Sequence, residues 1–230
     1  IIVEHSWAER NAALLMSFPV ARVVVDDTTR ALGQLALLCR RKVRRPVLAV
    51  AGSNGKTTTK DMIARILAGR YNVLSTEGNL NNQIGVPLTL FRLEQHHTCA
   101  VVEIGTNHFG ELTSLCDLLE PTHGLITNIG SEHLEFFRNR SGVARAEGEL
   151  FAWLRAHRGR QARTFLNADD PYLQRYSRQF SGTVTYGITR RGLTVRGVLR
   201  GTTPQGTERL TVYPKGKKPL DIRLSVPGRH

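Results

Sequence analysis

Residues 47–58 read VLAVAGSNGKTT: five apolar residues, a turn that contains two glycines, and a lysine followed by two threonines. The apolar run is typical of a buried strand, and the residues from Thr57 onward have the pattern of a helix. Glycines let backbone N–H groups close around phosphate oxygens, and a helix N-terminus adds partial positive charge. The stretch therefore predicts a phosphate-binding loop. Its residues are Gly52, Ser53, Asn54, Gly55, Lys56, Thr57 and Thr58.

Two side chains of this loop suit a nucleoside triphosphate. Lys56 can reach the β and γ phosphates, and the hydroxyl of Thr57 can ligate Mg²⁺. The usual pattern has a glycine five positions before Gly55, where this sequence has Val50. Because a strand precedes the loop and a helix follows it, we interpret it as an ATP site. The alternative is an ordinary glycine turn with a surface lysine.

Candidate metal ligands follow two other apolar runs. A loop of this kind needs a carboxylate to hold Mg²⁺, usually at the end of a neighbouring strand. Glu103 is the first charged residue after one such run, so we expect it to face the metal, although a solvated strand end is the alternative. His133 has the same position after residues 124–130 and is a candidate ligand for a second metal ion or else a polar loop residue. The other histidines lack ligand spacing, which argues against a zinc site.

The order of apolar segments predicts an α/β fold. From Pro46, apolar strands alternate with helices, which indicates a P-loop-type, mostly parallel sheet with helices on both faces. Predicted strands cover 47–51, 71–74, 99–104, 124–127 and 164–166, and predicted helices cover 57–67, 85–91, 111–119 and 141–154. After Gly182, strand patterns at 184–186, 193–199, 209–213 and 220–226 predict a small antiparallel β meander.

The first 45 residues are predicted to form a separate unit. Residues 5–16 are helix-like, residues 21–25 form a short strand, and a second helix places Leu32, Leu35, Ala36 and Cys39 on one face. Residues 40–45 are interpreted as a polar connection, and Pro46 as the domain boundary. The predicted domains are therefore 1–45 and 46–230.

Composition narrows the class of protein. The 230 residues are 40% hydrophobic and 22% charged, which argues against disorder, and no apolar run is long enough for a membrane span. Three widely spaced cysteines argue against a disulfide framework and favour the cytoplasm. The net charge of +13 would suit a nucleic-acid-binding module, but that class predicts aromatic residues interleaved with basic ones, and we see no such pattern. We therefore expect no nucleic-acid partner.

Four motifs together resemble the Mur ligase family. They are residues 52–58 (GSNGKTT), 76–82 (TEGNLNN), 103–108 (EIGTNH) and 126–135 (ITNIGSEHLE), which occur in the family's order. Residues 79–90 (NLNNQIGVPLTL) are most similar to the member that adds D-alanyl-D-alanine. The resemblance covers about residues 24–230 and implies the end of an N-terminal UDP-sugar-binding domain at 1–45 and a central ATP-binding domain from 46. Because the chain opens without Met and ends in a Pro-Gly turn, we expect a fragment that lacks the C-terminal ligase domain and does not ligate alone.

The resemblance implies ATP-dependent amide formation through an acyl phosphate, in the synthesis of peptidoglycan precursors. The substrates would be UDP-N-acetylmuramoyl-tripeptide and D-alanyl-D-alanine, with Mg²⁺ as the metal. The alternative is another ligase of this type, which adds a different amino acid or acts on folate. The implied catalytic residues are Lys56, Glu103, His133 and Glu147, of which Glu103 and His133, with Thr57, hold metal; the implied substrate residues are Asn79, Asn82, Asn107 and His108. Turn capping is the alternative role for the asparagines near Gly78.

One position departs from the family pattern. Relatives have a lysine, carbamylated by CO₂, about 14 residues after the metal-binding histidine, where this sequence has Glu147. We expect this carboxylate to replace the carbamate and to be ionised near neutral pH if it faces Mg²⁺ or Lys56, so that activity does not depend on bicarbonate. The alternative is a solvent-facing Glu147 without that role.

Overall fold

The computed structural model describes residues 1–132, 134–176, 179–202 and 207–224. The strands are β1 (Ile2–Glu4), β2 (Val23–Val25), β3 (Val47–Ala51), β4 (Val73–Ser75), β5 (Cys99–Glu103), β6 (His123–Ile126), β7 (Arg163–Asn167), β8 (Thr183–Gly187), β9 (Val195–Thr202), β10 (Glu208–Pro214) and β11 (Leu220–Leu224). The helices are α1 (His5–Arg10), α2 (Ala12–Ser17), α3 (Thr28–Lys42), α4 (Lys56–Ala68), α5 (Gly85–Phe91), α6 (Glu111–Leu119), α7 (Leu134–Phe137), α8 (Arg140–Glu147) and α9 (Glu149–Arg158). Short 3₁₀ turns occupy Gly159–Gln161 and Gln174–Tyr176.

The described strands form one large sheet and one small one. The large sheet has the order β11-β10-β9-β8-β7-β6-β3-β5-β4, and β1 pairs with β2 separately. Pairing is parallel from β4 across to β9, and antiparallel between β9, β10 and β11. The predicted α/β class is confirmed, with β3 between β5 and β6.

The two faces of the sheet are covered differently. Val47, Ala49 and Ala51 of β3 belong to the main core, which also contains residues of α5, α6 and α9. Val50 lies on the other face, in a smaller cluster that includes Ile63 of α4. Beside α4, this second face carries an apolar groove of about 630 Å³. Its lining includes Leu48, Ile63, Leu67, Ala100, Leu125 and Phe165.

The helix α3 packs against the large sheet's own helices. Its residue Ala36 is fully buried in the main core. Arg40, predicted to begin a polar connection, is 4% exposed and donates to the carbonyl oxygens of Leu119 at 2.8 Å and Glu120 at 3.1 Å. Burial lowers the pKa of this guanidinium. The interpretation of Arg40 as the start of a polar connection over residues 40–45 is therefore wrong, because Arg40 lies in α3 and its side chain caps the end of α6.

Four further details differ from the sequence prediction. The helix expected over 5–16 is divided at Asn11. The helix expected over 141–154 is divided at Gly148 into α8 and α9, although the backbone of Gly148 stays close to helical values. Leu35, expected on the buried face of α3, is 41% exposed. Strand β8, expected within the antiparallel meander, instead pairs parallel with β7. Within the described ranges, no helix is both long and apolar enough to span a membrane.

Candidate active site

The loop between β3 and α4 is the predicted phosphate-binding loop. Gly52 and Gly55 have φ values of +116° and +77°, which residues with a side chain rarely adopt. A Cβ atom at Gly52 would also lie 2.3 Å from Oγ1 of Thr127. Both positions therefore require glycine for their backbone conformation, and Gly52 requires it for space as well.

The segment after β6 supports this loop from one side. The N–H of Ser53 donates to the carbonyl oxygen of Asn128 at 3.0 Å. The carbonyl oxygen of Asn54 accepts from Oγ1 of Thr127 at 2.8 Å and from Nδ2 of Asn128 at 2.9 Å. The N–H of Gly130 donates to Oγ of Ser53 at 2.7 Å. These bonds hold the loop against the end of the neighbouring strand.

A cavity of about 310 Å³ lies over the N-terminus of α4. The residues around it are Ser53, Asn54, Gly55, Lys56, Thr57 and Thr58. The fold therefore gathers six of the seven predicted phosphate-binding residues around one cavity, where the first N–H groups of a helix favour an anion.

Lys56 lies between this cavity and a second one of about 190 Å³. Its Nζ donates to the carbonyl oxygens of Gly52 at 2.6 Å and Ser53 at 3.0 Å, so the side chain folds back over its own loop. The walls of the second cavity are Lys56, Asn81, Asn82, Gln83, Gly105, Thr106, Asn107, Glu111 and Leu115. Lys56 is thus placed to contact groups in both cavities.

Glu103 is the last residue of β5 and is 1% exposed. Its strand neighbour in the pairing register is Val50, just before the phosphate-binding loop. Oε1 accepts a hydrogen bond from Nδ2 of Asn81 at 2.8 Å, whereas Oε2 is buried without a hydrogen-bond partner. A buried carboxylate oxygen left unpartnered carries a free-energy cost that a cation would remove.

The residues present fit Mg²⁺ as far as the structure describes them. Mg²⁺ takes oxygen ligands and usually binds proteins through one or two carboxylates together with phosphates and waters. Oε2 of Glu103 supplies such an oxygen, and Thr57, the second residue of α4, carries a hydroxyl at the cavity over the start of that helix. The described residues contain no cluster of three His, Cys, Asp or Glu side chains. His133, predicted as a further ligand, lies outside the described residues.

The asparagines after Gly78 divide into different structural roles. Asn82 lies in the wall of the second cavity, and its Oδ1 accepts from the N–H groups of Ile84 at 3.1 Å and Gly85 at 2.9 Å. Asn79 is exposed and is absent from that wall. Asn81, which sequence reasoning treated only as a possible turn residue, bonds to Glu103 instead. Asn82 therefore caps the turn before α5, whereas the neighbouring Asn81 contacts Glu103.

A single glutamate organises the loop that carries Asn107 and His108. Oε2 of Glu111 accepts from the N–H groups of Asn107 at 2.6 Å and His108 at 3.0 Å. Burial tends to raise the pKa of Glu111, but these bonds hold it below its ordinary value. Asn107 lies in the wall of the second cavity, whereas the His108 ring lies outside it, against Phe136 with ring centroids 4.3 Å apart. Sequence reasoning missed Glu111, whose only signal is an acidic residue in the first turn of a helix.

Glu147 lies beneath the phosphate-binding loop rather than in solvent. It is 4% exposed, and its Oε2 accepts from the N–H of Gly52 at 2.8 Å. Burial raises the pKa of Glu147 to about 7, against the opposing effects of Lys56 and the Gly52 N–H. The alternative of a solvent-facing side chain is therefore wrong, and at neutral pH the carboxyl group is only partly ionised.

Comparisons with known proteins show the family to which this fold belongs. The family profile described as "Mur ligase middle domain" matches residues 50–230. The chain is 38% identical to the UDP-N-acetylmuramoyl-tripeptide--D-alanyl-D-alanine ligase of Escherichia coli over 240 residues, which cover 98% of this chain and 51% of that protein. It superposes on a MurF crystal structure from Acinetobacter baumannii with a TM-score of 0.81 and 30% identity, covering 92% of this chain and 46% of that one.

A third comparison concerns a nucleotide complex. The MurF ligase structure from Thermotoga maritima, described as in complex with ADP, superposes with a TM-score of 0.76 at 24% identity and covers 91% of this chain and 47% of that one. At that identity the likeness shows the fold alone. The chain spans about half the length of the curated relatives it matches. The phosphate-binding loop, the parallel sheet and the family profile together establish that the chain belongs to the Mur ligase middle-domain family.

Proposed function

We propose that this chain is the ATP-binding part of a cytoplasmic ligase that adds D-alanyl-D-alanine to UDP-N-acetylmuramoyl-tripeptide. The observation that carries the proposal is the position of Lys56 between two cavities. The ammonium group of Lys56 would then lie between two reactants. One is the γ-phosphoryl group, bound in the cavity over α4, and the other is a substrate carboxylate in the second cavity, of about 190 Å³, which we call the polar cavity. The identity of the substrates rests on the similarity to the curated ligases.

The chain's residues have distinct parts in this proposal. The N–H groups of residues 55–58, at the N-terminus of α4, would bind the phosphates, because those of Gly52 and Ser53 donate to Glu147 and Asn128. Lys56 would neutralise the charge that develops during transfer. Thr57 and Glu103 would hold Mg²⁺, which supplies electrostatic stabilisation of the phosphate oxygens when bound. His133 is assigned to the same group on its position after an apolar strand and on the family resemblance. Asn79, Asn82, Asn107 and His108 remain candidate contacts to the UDP-sugar peptide, with Asn82 and Asn107 supported by the cavity wall.

The proposed reaction has two steps. A carboxylate oxygen of the tripeptide attacks the γ-phosphorus of ATP, the bond from that phosphorus to the β–γ bridging oxygen breaks, and ADP leaves. The amine of D-alanyl-D-alanine then attacks the acyl carbon, loses a proton, and inorganic phosphate leaves as the amide forms. Positioning and charge neutralisation account for most of the catalysis expected from such a site.

The proposed domain organisation follows the same reading. Residues 46–230 would be the central ATP-binding domain, and residues 1–45 the end of the UDP-sugar-binding domain. The packing of α3 on the sheet's helices, through Ala36 and Arg40, would then fix the two units together at this point. The cytoplasmic location rests on three unpaired cysteines, Cys39, Cys99 and Cys116.

The test is a phosphate-release assay on the protein as its gene encodes it. We expect release from ATP only when Mg²⁺, UDP-N-acetylmuramoyl-tripeptide and D-alanyl-D-alanine are all present, with the pentapeptide product identified by mass spectrometry. Release that instead requires a folate and glutamate, or a different amino acid, would assign another ligase of this type. Release that ignores every acceptor would refute the proposal.

A further inference from the structure

The junction between α8 and α9 carries two glutamates, one on each side of Gly148. Gly148 has φ −64° and ψ −14°, close to helical values, so the chain turns almost as a continuous helix there. Successive residues of a helix are about 100° apart around its axis. Glu147 and Glu149 therefore leave the axis roughly 200° apart and reach opposite surroundings.

The first of these side chains acts on the phosphate-binding loop. Oε2 of Glu147 accepts from the N–H of Gly52 at 2.8 Å, and the carbonyl oxygen of Gly52 accepts from Nζ of Lys56 at 2.6 Å. Gly52 is therefore bonded on one side to Glu147 and on the other to the side chain of Lys56.

The second side chain acts on the start of α6. Oε1 of Glu149 accepts from the N–H of Gly110 at 2.7 Å. Its Oε2 accepts from both the N–H and the hydroxyl of Thr113 at 3.1 Å. Gly110 is the N-cap of α6 and has no side chain to satisfy these donors, so Glu149 caps the helix from a different element.

The start of α6 in turn sets the loop that forms one wall of the polar cavity. Glu111, in the first turn of α6, accepts from the backbone N–H groups of Asn107 and His108. Asn107 and Lys56 line the same cavity of about 190 Å³. Glu147 thus acts on the Lys56 side of the polar cavity through Gly52. Glu149 acts on the opposite side, formed by residues 105–110, through the start of α6.

Tyr176 and Arg175 pack against the junction at Gly148. A Cβ atom at Gly148 would lie 2.0 Å from Oη of Tyr176 and 2.8 Å from the carbonyl oxygen of Ala144. Arg175 donates to that carbonyl oxygen at 3.0 Å and to Oη of Tyr176 at 3.1 Å. The backbone between the two glutamates is therefore closely packed against Tyr176.

We propose that Glu147 and Glu149 are positioning residues that hold the phosphate-binding loop and residues 105–110 at a fixed separation across the polar cavity. This inference rests on the proposed function, because the separation matters only if a phosphoryl donor and an accepting carboxylate must meet there. A displacement of about 1 Å in such a geometry can cost on the order of 100-fold in rate. We call Glu147 and Glu149 together the brace. Its proposed role is to align the two reactants, and neither glutamate need contact a substrate.

The test compares Glu149→Gln with a matched control, Asp169→Asn, in the protein as its gene encodes it. Asp169 is also a carboxylate that accepts backbone hydrogen bonds, from Ile188 at 2.6 Å and Thr189 at 3.1 Å, but it is absent from both cavity walls. We expect Glu149→Gln to lower kcat at least 10-fold while the KM values for ATP and the UDP-sugar peptide change less than 3-fold. The control should stay within 2-fold of the parent in kcat. A kcat for Glu149→Gln within 2-fold of the parent would overturn the proposal.

A double variant separates a brace from two independent contacts. Loss of either side chain's contact frees the separation, so Glu147→Ala, which removes the acceptor for the N–H of Gly52, combined with Glu149→Gln should lower kcat by much less than the product of the two single effects. A combined loss equal to that product contradicts the brace.

If Glu149→Gln does not fold, amide hydrogen exchange of the unmodified protein tests the proposal instead. In the unmodified protein, ADP should slow amide exchange in residues 105–113 as well as in 52–58, and protection confined to 52–58 would overturn the proposal. A parent that releases no phosphate with both acceptors present refutes the proposed function instead, and exchange then remains the test of the brace.

Discussion

Replacing Glu147 with glutamine should change how the protein's stability depends on pH. Burial raises the pKa of this carboxyl from 4.5 to about 7 in the folded state. The folded protein therefore holds the proton more tightly than the unfolded chain does. The contribution of Glu147 is most favourable below pH 4.5 and is lost as the pH rises through about 7.

The size of the effect follows from the shift. A difference of about 2.5 pKa units at roughly 1.4 kcal/mol each amounts to about 3 kcal/mol between pH 4.5 and pH 8. Glutamine lacks the titration but keeps an oxygen that can accept from the N–H of Gly52. The free energy of unfolding of Glu147→Gln, relative to the parent, should therefore increase by about 3 kcal/mol over that pH range.

Urea unfolding at several pH values measures this difference. Every other titrating group is shared by the two proteins, so their difference isolates Glu147. The same substitution at Glu94, whose side chain is 70% exposed, is the control and should show no comparable increase. A difference between Glu147→Gln and the parent that stays constant within about 0.5 kcal/mol from pH 4.5 to 8 would refute the assigned burial.

Three further predictions address the loop, the metal and the helix junction. Lys56→Ala should weaken ATP binding about 10- to 150-fold in calorimetry, because a charge-assisted contact worth roughly 1.5–3 kcal/mol is lost, and unchanged affinity would contradict the assignment. Glu103→Gln should raise the Mg²⁺ concentration for half-maximal ATP hydrolysis about 10-fold with an unchanged circular dichroism spectrum, and an equal requirement would exclude Glu103 as a ligand. Gly148→Ala should cost about 1–3 kcal/mol of unfolding free energy, partly recovered by adding Tyr176→Phe, since the added methyl meets that hydroxyl. No recovery in the double variant would place the cost elsewhere.

The phosphate-binding loop and the parallel sheet could be predicted because their signals are local. Five apolar residues followed by a glycine turn and a helix pattern determine β3, its loop and α4 within a few residues. Glu103 follows from the same reasoning, because the carboxyl ends of adjacent parallel strands meet at one edge of the sheet.

The errors arose where the outcome depends on tertiary packing. The helical pattern continues on both sides of Gly148, and only the approach of Tyr176 shows why glycine is needed at that position. Strand β8 alternates like an antiparallel strand, but its direction depends on pairing with β7, which its own residues do not encode. Arg40 belongs to a basic run, residues 40–45, of the kind that often connects domains. Its side chain is buried because the carbonyl groups at the end of α6 accept its hydrogen bonds.

The site residues show the same division. The sequence shows that asparagines follow Gly78. Which of them contacts Glu103 depends on the path of the turn, and it is Asn81. The spacing of 14 residues from His133, where the family pattern has a lysine, identified Glu147 as unusual. Its contact with Gly52 depends on the packing of α8 under the loop, which the sequence alone does not show. His133 remains a prediction from the family resemblance.

The apolar groove beside α4 affects how these stabilities can be measured. Dyes that fluoresce in apolar surroundings bind exposed hydrophobic patches, and the groove of about 630 Å³ offers such a patch while the chain is folded. In a thermal melt followed with such a dye, we expect strong fluorescence before the transition and a small rise through it. Far-ultraviolet circular dichroism, which reports the backbone, avoids this background.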